Sequence, residues 1–257
     1  MILPTMTPQE KVEQAKCITE YLSNYPMEKR QYIYKKVAKA KVFPSYYTAE
    51  HDISGMGKWV IIFEAESKNL IRKGVLTVKA YQKYYIGHSR NPLNNGTGIY
   101  LCSGDDSGHI TLIEYPPHYF NRIRERYVSP KGIMQPNFDQ LVKMVLRMQH
   151  LSMDVQISGY EVIRGEDGKY LLVKDESNSR QKGYNNFISY HKEGISLGVS
   201  YGNKEYINQT TFVPNSLLHE EQLEKQKEAL AELRKHEHTL STNPFATYSR
   251  CKYEPIE

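Results

Sequence analysis

The sequence predicts an α+β fold built on a mainly antiparallel sheet. Helical periodicity marks both ends of the chain and its middle, and β-branched, aromatic or alternating segments fill the stretches between them. Most of these strand-like segments are separated by short turns rather than by helices, which favours antiparallel pairing over a doubly wound parallel sheet. We therefore expect a sheet with the helix that begins near His118 packed on it, flanked by N- and C-terminal helices.

The chain begins with two predicted helices. Thr7 and Glu10 have the spacing of a capping box, which starts a helix that runs to about Tyr21. A second, basic helix is predicted over about 27–42, and its positive charges spread round the helix as on a solvated surface. Over 44–57 the pattern is lost, so no regular structure is predicted there.

Strands are predicted in two groups, one on each side of the central helices. The first group covers 58–65, 74–85, 98–103 and 108–115, with a Gly-Asp turn over 104–108. The second group covers 154–164, 169–174, 186–191, 195–201 and 205–213, joined by turns that contain glycine.

Two further helices show a single apolar face, one over about 137–150 and one over about 217–240. The last helix is expected to dock on the body of the protein or on a second copy, so it is the candidate for self-association or for binding a protein partner. The predicted domain organisation is an N-terminal helical segment over 1–43, an α+β core over 44–213, and a docking helix with a tail over 214–257.

Composition excludes several classes of protein. Of the 257 residues, 39% are hydrophobic and 25% are charged, which is ordinary for a globular protein. The net charge of +5 is only mildly basic, and the apolar run 59–63 is far too short to cross a bilayer. The N-terminus lacks the features of a signal peptide, and the three cysteines have no paired spacing. We expect a cytoplasmic protein with no membrane association.

The candidate functional site is a helix that starts at His118 and contains Arg122 and Arg126. Two prolines precede His118 and pre-set the first helical turn. The three side chains recur every fourth residue, which places them on one stripe of an α-helix, whereas Arg124 points to the opposite side. No metal-ligand pattern, nucleotide-binding loop or nucleophile elbow occurs in the sequence, so neither a metal nor a cofactor is expected.

The stripe combines one titratable imidazole with two permanent charges. At the start of a helix, His118 is expected to have a lowered pKa and to be neutral, as a general base must be. Arg122 and Arg126 carry planar donor forks that match phosphate oxygens. The alternative for His118 is a residue that only caps its own turn, and the alternative for the arginines is structural pairing with acids such as Glu125 or Glu114.

The pattern His-x-x-x-Arg-x-Arg-x-Arg resembles that of the barnase–EndoU–colicin–RelE-like ribonuclease toxins, over residues 111–213. In that group the sheet ends in a strand with a Thr-x-aromatic or similar sequence, and Thr211 is the position that corresponds best. The resemblance implies metal-independent RNA cleavage by attack of the 2′-hydroxyl on its own phosphate. It also implies that His118 acts as base or acid, that Arg122 and Arg126 hold the phosphate, and that Thr211 contacts the scissile region.

Two function hypotheses follow from the sequence. The first is RNA binding with endoribonuclease activity, and the second is a non-catalytic interaction or assembly module, in a phage or mobile-element setting, with a structural basic helix. Lys131 and the basic segment 88–90 are candidates to extend a basic groove, although the sequence alone does not bring them near His118.

Overall fold

The fold is α+β, with helices at both ends and mainly antiparallel strands, as the sequence predicts. The computed structural model describes residues 1–24, 27–37, 39–72, 77–104, 110–132, 135–150, 152–157, 160–164, 170–174, 184–202, 205–242 and 251–253. The chain forms two units, residues 1–117 with 203–207, and residues 118–202 with 208–257. This grouping differs from the predicted segments 1–43, 44–213 and 214–257, whose bounds stay a prediction.

The first unit combines helices with a five-stranded antiparallel sheet in its described part. Its helices are α1 (Pro8–Ser23), α2 (Met27–Val37) and α3 (Lys68–Arg72). Its strands are β1 (Ser45–Ile53), β2 (Gly57–Ala65), β3 (Thr77–Ile86), β4 (Gly96–Gly104) and β5 (Ile110–Tyr115). The strands are neighbours in chain order, and every pair is antiparallel.

Strand β2 forms the centre of this unit's core. Trp59 to Phe63 are all buried, on both faces of the strand. A strand covered on both faces needs no polar residues on alternate positions, which explains why this segment has the longest apolar run of the chain. The strand prediction for 58–65 is confirmed.

The prediction that 44–57 is irregular is wrong, because β1 occupies most of it. Strand β1 pairs with β2 over its full length, from Ser45 opposite Ala65 to Ile53 opposite Gly57. The sequence of β1 is polar and does not alternate, so β1 is a strand because it pairs with β2 and not because of its own sequence pattern. Gly57 has a φ of 74°, a conformation that favours glycine, at the turn between the two strands.

Helix α1 has the predicted start. The Glu10 amide donates to the Thr7 hydroxyl, and the Thr7 amide donates to the Glu10 carboxylate, which completes the capping box. Helix α2 ends at Val37 rather than at Val42, and the amide of Ala40 bonds back to the Val37 carbonyl in a tighter turn.

The second unit contains α4 (Pro117–Ile123) except for its first residue, together with α5 (Phe138–His150), α6 (Glu220–Thr242) and the strands of a second, mainly antiparallel group. Its strands are β6 (Met153–Ile157), β7 (Tyr160–Arg164), β8 (Tyr170–Lys174), β9 (Tyr184–His191), β10 (Gly194–Tyr201), β11 (Tyr206–Pro214) and β12 (Cys251–Tyr253). The sheet order is β11-β10-β9-β6-β12, and β12 runs parallel to β6. The first residues of β11, up to Ile207, belong to the first unit.

The prediction of one continuous strand over 154–164 is wrong, because two strands occupy this segment. Strand β6 pairs with β9, whereas β7 pairs with β8 in a separate two-stranded sheet. Both halves have strand-forming sequences, and the local signal that divides them is the dipeptide Ser158-Gly159, a type that commonly marks a turn. The predicted turns at 104–108 and 165–168 lie largely outside the described residues.

Helix α6 docks on the second unit, one of the two outcomes that its apolar face predicts. Leu233 is buried with Leu218, Ile188 and Val213 in one apolar cluster, against which Leu230 also packs. The helix starts later than predicted, at Glu220, because residues 215–217 form a separate 3₁₀ turn. Docking on a second copy stays a prediction.

Candidate functional site

The segment that carries His118 is anchored between the sheet and α5. The Tyr119 hydroxyl hydrogen-bonds the Ser196 hydroxyl of β10 at 2.8 Å, and the Phe120 ring meets the Phe138 ring edge-on at 4.9 Å between centroids. Both aromatic residues are fully buried, whereas His118 is half-buried. The neighbouring side chains therefore hold the backbone of His118 in place and leave its imidazole at the edge of the packed core.

The two nitrogens of His118 have different surroundings. Nδ1 is buried and has no hydrogen-bond partner among the described residues. Nε2 lies 3.5 Å from the Nε of Arg122, at the limit of a hydrogen bond. Since a guanidinium only donates, Nε2 accepts in this contact, and the imidazole must be neutral to do so.

The pKa of His118 is lowered from its ordinary value of 6.5, in the direction that the sequence predicts. Burial is the first cause, followed by the positive charges of Arg122 and Arg126, while Glu125 acts in the opposite direction. From the sequence we expected the helix start to lower this pKa, whereas in the structure burial and the two arginines lower it. A lowered pKa keeps the imidazole uncharged at neutral pH.

Arg122 forms an ion pair with Glu125, as expected if the arginines have a structural role. Its Nη1 lies 2.6 Å from a Glu125 carboxylate oxygen, and 55% of the Glu125 side chain is exposed. Pairs that are this exposed contribute about 0–1 kcal/mol, because water solvates both charges well when they separate. The Glu125 carboxylate can therefore leave Arg122 at little energetic cost.

Arg126 is held by the sheet. Its Nη1 donates to the backbone carbonyl of Phe212 in β11 at 2.9 Å, and the Tyr127 ring meets the Phe212 ring edge-on. Arg124 lies apart, with its Nη1 3.5 Å from the Asn121 side chain. Arg126 thus connects the His118 segment to β11.

The predicted uniform α-helical stripe needs a correction. Helix α4 has only seven residues, and the chain continues as a π-helical turn over Arg124–Val128, in which the Ser129 amide donates to the Arg124 carbonyl. His118 and Arg122 keep α-helical spacing, but Arg126 lies on the wider turn. The sequence gives no local signal for this change, and the hydrogen bond of Arg126 to a strand carbonyl is a tertiary contact.

Thr211 is half-buried in β11, directly before the residue that holds Arg126. Its hydroxyl makes no hydrogen bond to any described residue, whereas the neighbouring Thr210 hydroxyl donates to the Leu197 carbonyl. The structure thus brings His118 and Arg122 into contact. Thr211 is linked to them through the hydrogen bond between Arg126 and its neighbour Phe212.

Glu125 also belongs to this site, although the sequence analysis named it only as a possible structural partner of the arginines. It contacts Arg122 and acts on the charge of His118. The signal that identifies it is the spacing of three residues from Arg122, which puts the two side chains on neighbouring turns.

The described residues hold no group of three His, Cys, Asp or Glu side chains arranged to bind a metal ion. None of their helices is long and apolar enough to cross a membrane. Cys102 is fully buried, and burial raises its thiol pKa, which makes it unreactive.

Comparison with known proteins does not extend this description. No family model matches the chain, and neither a curated protein nor a solved structure is significantly similar to it.

Proposed function

We propose that the protein binds RNA and cleaves it without a metal ion, with His118 as general base and Arg122 and Arg126 on the phosphate. The observation that carries this proposal is the contact between Nε2 of His118 and the guanidinium of Arg122 at 3.5 Å. It places an uncharged base beside a permanent cation, as attack of a hydroxyl on a phosphodiester requires. The resemblance over 111–213 supports the same reaction.

In this reaction Nε2 of His118 takes the proton of the ribose 2′-hydroxyl. The 2′ oxygen forms a bond to phosphorus, and the bond from phosphorus to the 5′ oxygen breaks. The departing 5′ oxygen receives a proton from water, and His118 later returns its proton to solvent. The products are a 2′,3′-cyclic phosphate and a 5′-hydroxyl end, so atoms and charge balance.

Arg122 binds the phosphate once Glu125 has moved away, and it stabilises the negative charge that develops on the phosphate oxygens. Arg126 keeps the hydrogen bond from Nη1 to the Phe212 carbonyl, binds the phosphate with its remaining donors and adds a second positive charge beside His118. Thr211, one residue before that anchor, is the group that we propose to contact the scissile region. Among the described residues Cys17 and Cys102 are free thiols, and we propose that the protein works in a reducing cytoplasm.

The test is cleavage of labelled RNA in EDTA. We expect the wild type and the control His51→Ala, which removes a half-buried histidine of β1 in the first unit, to cleave alike. We expect His118→Ala to be slower by about 100-fold or more, the usual contribution of a general base. Equal cleavage by all three proteins, or cleavage by none of them over a range of conditions, would refute the proposal.

A second candidate is a non-catalytic interaction module. The contacts that favour it are the Arg122–Glu125 ion pair and the hydrogen bond from Arg126 to Phe212, because both cations already have partners. In that case the RNA cleavage assay is negative, and Arg126→Gln lowers the free energy of unfolding without any effect on RNA.

A further inference from the structure

A groove with a volume of about 500 Å³ lies in the second unit, beside the π-helical turn. Its lining brings together the end of the His118 segment, the turn between β9 and β10, and the residues after β11. The residues that matter for its chemistry are Arg126, Tyr127, Lys131, Lys192, Glu193 and Asn215. A volume of this size accommodates an organic ligand rather than a single small ion.

The charge of the groove is predominantly positive. Arg126, Lys131 and Lys192 line it against one acid, Glu193. The ammonium of Lys131 lies 3.7 Å from the centroid of the Tyr127 ring, a cation–π contact that positions the charge. Within the described part of the chain neither lysine forms an ion pair, so both are available to an anionic ligand.

The groove wall is fixed before any ligand binds. The side-chain amide of Asn215 donates to the Lys192 carbonyl at 3.0 Å, and its backbone amide donates to the Glu193 carbonyl at 3.2 Å. Gln226 of α6, which is buried, donates to the Asn215 side chain at 2.9 Å and to the Gly194 carbonyl at 3.0 Å. A wall held in this way loses little conformational entropy when a ligand binds.

Arg126 belongs both to this groove and to the set of charges that act on His118. Arg126 is thus common to the two places, so a polyanion bound at Arg122 has a further cationic surface beside it. Single-stranded RNA fits this arrangement, because a strand whose scissile phosphate lies on Arg122 carries further phosphates along one flexible backbone to the groove.

We propose that this groove binds the backbone phosphates of single-stranded RNA beside the scissile position, with Lys131 and Lys192 as the phosphate ligands. The inference rests on the proposed function, since it assigns a substrate class to the same site. It adds that the protein requires a strand longer than a dinucleotide for full affinity.

The experiment compares the affinity of the double variant Lys131→Gln/Lys192→Gln with that of the wild type. The probe is a labelled single-stranded RNA of about 12 nucleotides, a length that spans several contacts, with 2′-O-methyl ribose at every position so that it cannot be cleaved. The matched control is Lys225→Gln/Lys227→Gln, which removes the same charge from exposed lysines of α6. Thermal unfolding of each variant checks that the fold is intact.

We expect the groove variant to bind roughly 10-fold more weakly at about 0.1 M salt, and its log–log salt slope to fall by about 1.4, the contribution of two single-strand phosphate contacts. The loss must be larger for the long strand than for a dinucleotide. Unchanged affinity, or an equal loss in the α6 control, would overturn the inference.

The binding experiment on the groove and the cleavage assay can fail independently of each other. If cleavage depends on His118 but the groove variant binds RNA normally, only the groove assignment is wrong. If no protein cleaves RNA, the proposed reaction fails whatever the groove variant does. A polyglutamate peptide that binds the groove as tightly as RNA would identify an acidic protein partner and would also overturn the inference.

Discussion

The two ring nitrogens of His118 differ in what they can contact. Nδ1 is buried and makes no hydrogen bond to a described residue, so it has no route to a substrate. Nε2 makes only a long contact with Arg122, which a substrate hydroxyl can replace. Chemistry at this residue therefore depends on Nε2, and on the imidazole staying neutral.

Nuclear magnetic resonance titration of His118 tests that charge state. Burial, Arg122 and Arg126 lower its pKa, so we expect a value below 6.5 and a cleavage rate that rises with pH through that lowered value and then levels. In Arg122→Gln the pKa moves back towards 6.5, because one repelling charge is gone. A wild-type pKa above 6.5 would contradict this account of the site.

Glu125 occupies the position on Arg122 that we assign to a phosphate. Replacing it with glutamine removes the competing carboxylate, so Glu125→Gln is expected to bind RNA up to about 5-fold more tightly, as an exposed pair worth at most about 1 kcal/mol allows. The control is Glu221→Gln, which removes an exposed acid of α6 that lies 3.9 Å from Lys225. Equal gains in both variants would show a general charge effect rather than competition at Arg122.

Helix α1 is attached to its sheet by a buried ion pair. Lys11 Nζ lies 2.8 Å from a Glu114 carboxylate oxygen, and Tyr84 and Tyr206 also donate to that carboxylate. The methylenes of Lys11 share the buried helix face with Ile18. The sequence predicts the helix and its cap, but the burial of a lysine in its first turn follows only from the position of Glu114.

We expect Lys11→Met to lower the free energy of unfolding by about 3–5 kcal/mol, since it leaves a buried carboxylate without its cation. Lys16→Met on the same helix breaks an exposed pair with Glu13 and should cost less than about 1 kcal/mol. Denaturant unfolding measures both values. Similar losses in the two variants would show that the Lys11–Glu114 pair has no special structural role.

His191 on β9 carries a fully buried imidazole in the second unit. Its Nε2 lies 2.7 Å from the Ser196 hydroxyl, and burial lowers its pKa to about 4, with a partly opposing contact from the Met148 carbonyl. The unfolded chain binds a proton near pH 6.5 and the folded chain only near 4, so stability is complete above about pH 6.5 and falls as the pH decreases between these values.

The loss on acidification is expected to reach roughly 3 kcal/mol by about pH 4, from a shift of more than two pKa units. His191→Gln retains a side-chain donor for Ser196 but cannot be protonated, so its stability should change less between about pH 7 and pH 5. Denaturant unfolding at both pH values measures the difference. Equal pH dependence in the two proteins would exclude His191 as the cause.

The fold class was predictable because it depends on local patterns. The apolar run in β2, the capping box of α1 and the amphipathic face of α5 each indicate their own element. The clearest failure involves a distant partner, since β1 is a strand because of β2. The predicted strand over 154–164 divides where the sequence has Ser158-Gly159, and its halves pair with different strands. The division into two units was not predictable, since it depends on which elements pack together.

The candidate site shows the same limit. The contact of His118 with Arg122 follows from helical spacing, and the sequence named Glu125 as a competing partner. The π-helical turn and the carbonyl that holds Arg126 have no local signal. The sequence also proposed Lys131 for a basic groove, and the structure places it in a groove with Arg126.

The formation of a 2′,3′-cyclic phosphate end from RNA, followed in EDTA, decides whether the imidazole beside Arg122 is a catalyst. We predict that the wild type produces this end and that His118→Ala does so at least about 100-fold more slowly. Cyclic phosphate that forms at the same rate in both proteins, or an RNA that stays intact with the wild type, would contradict the role that we assign to His118.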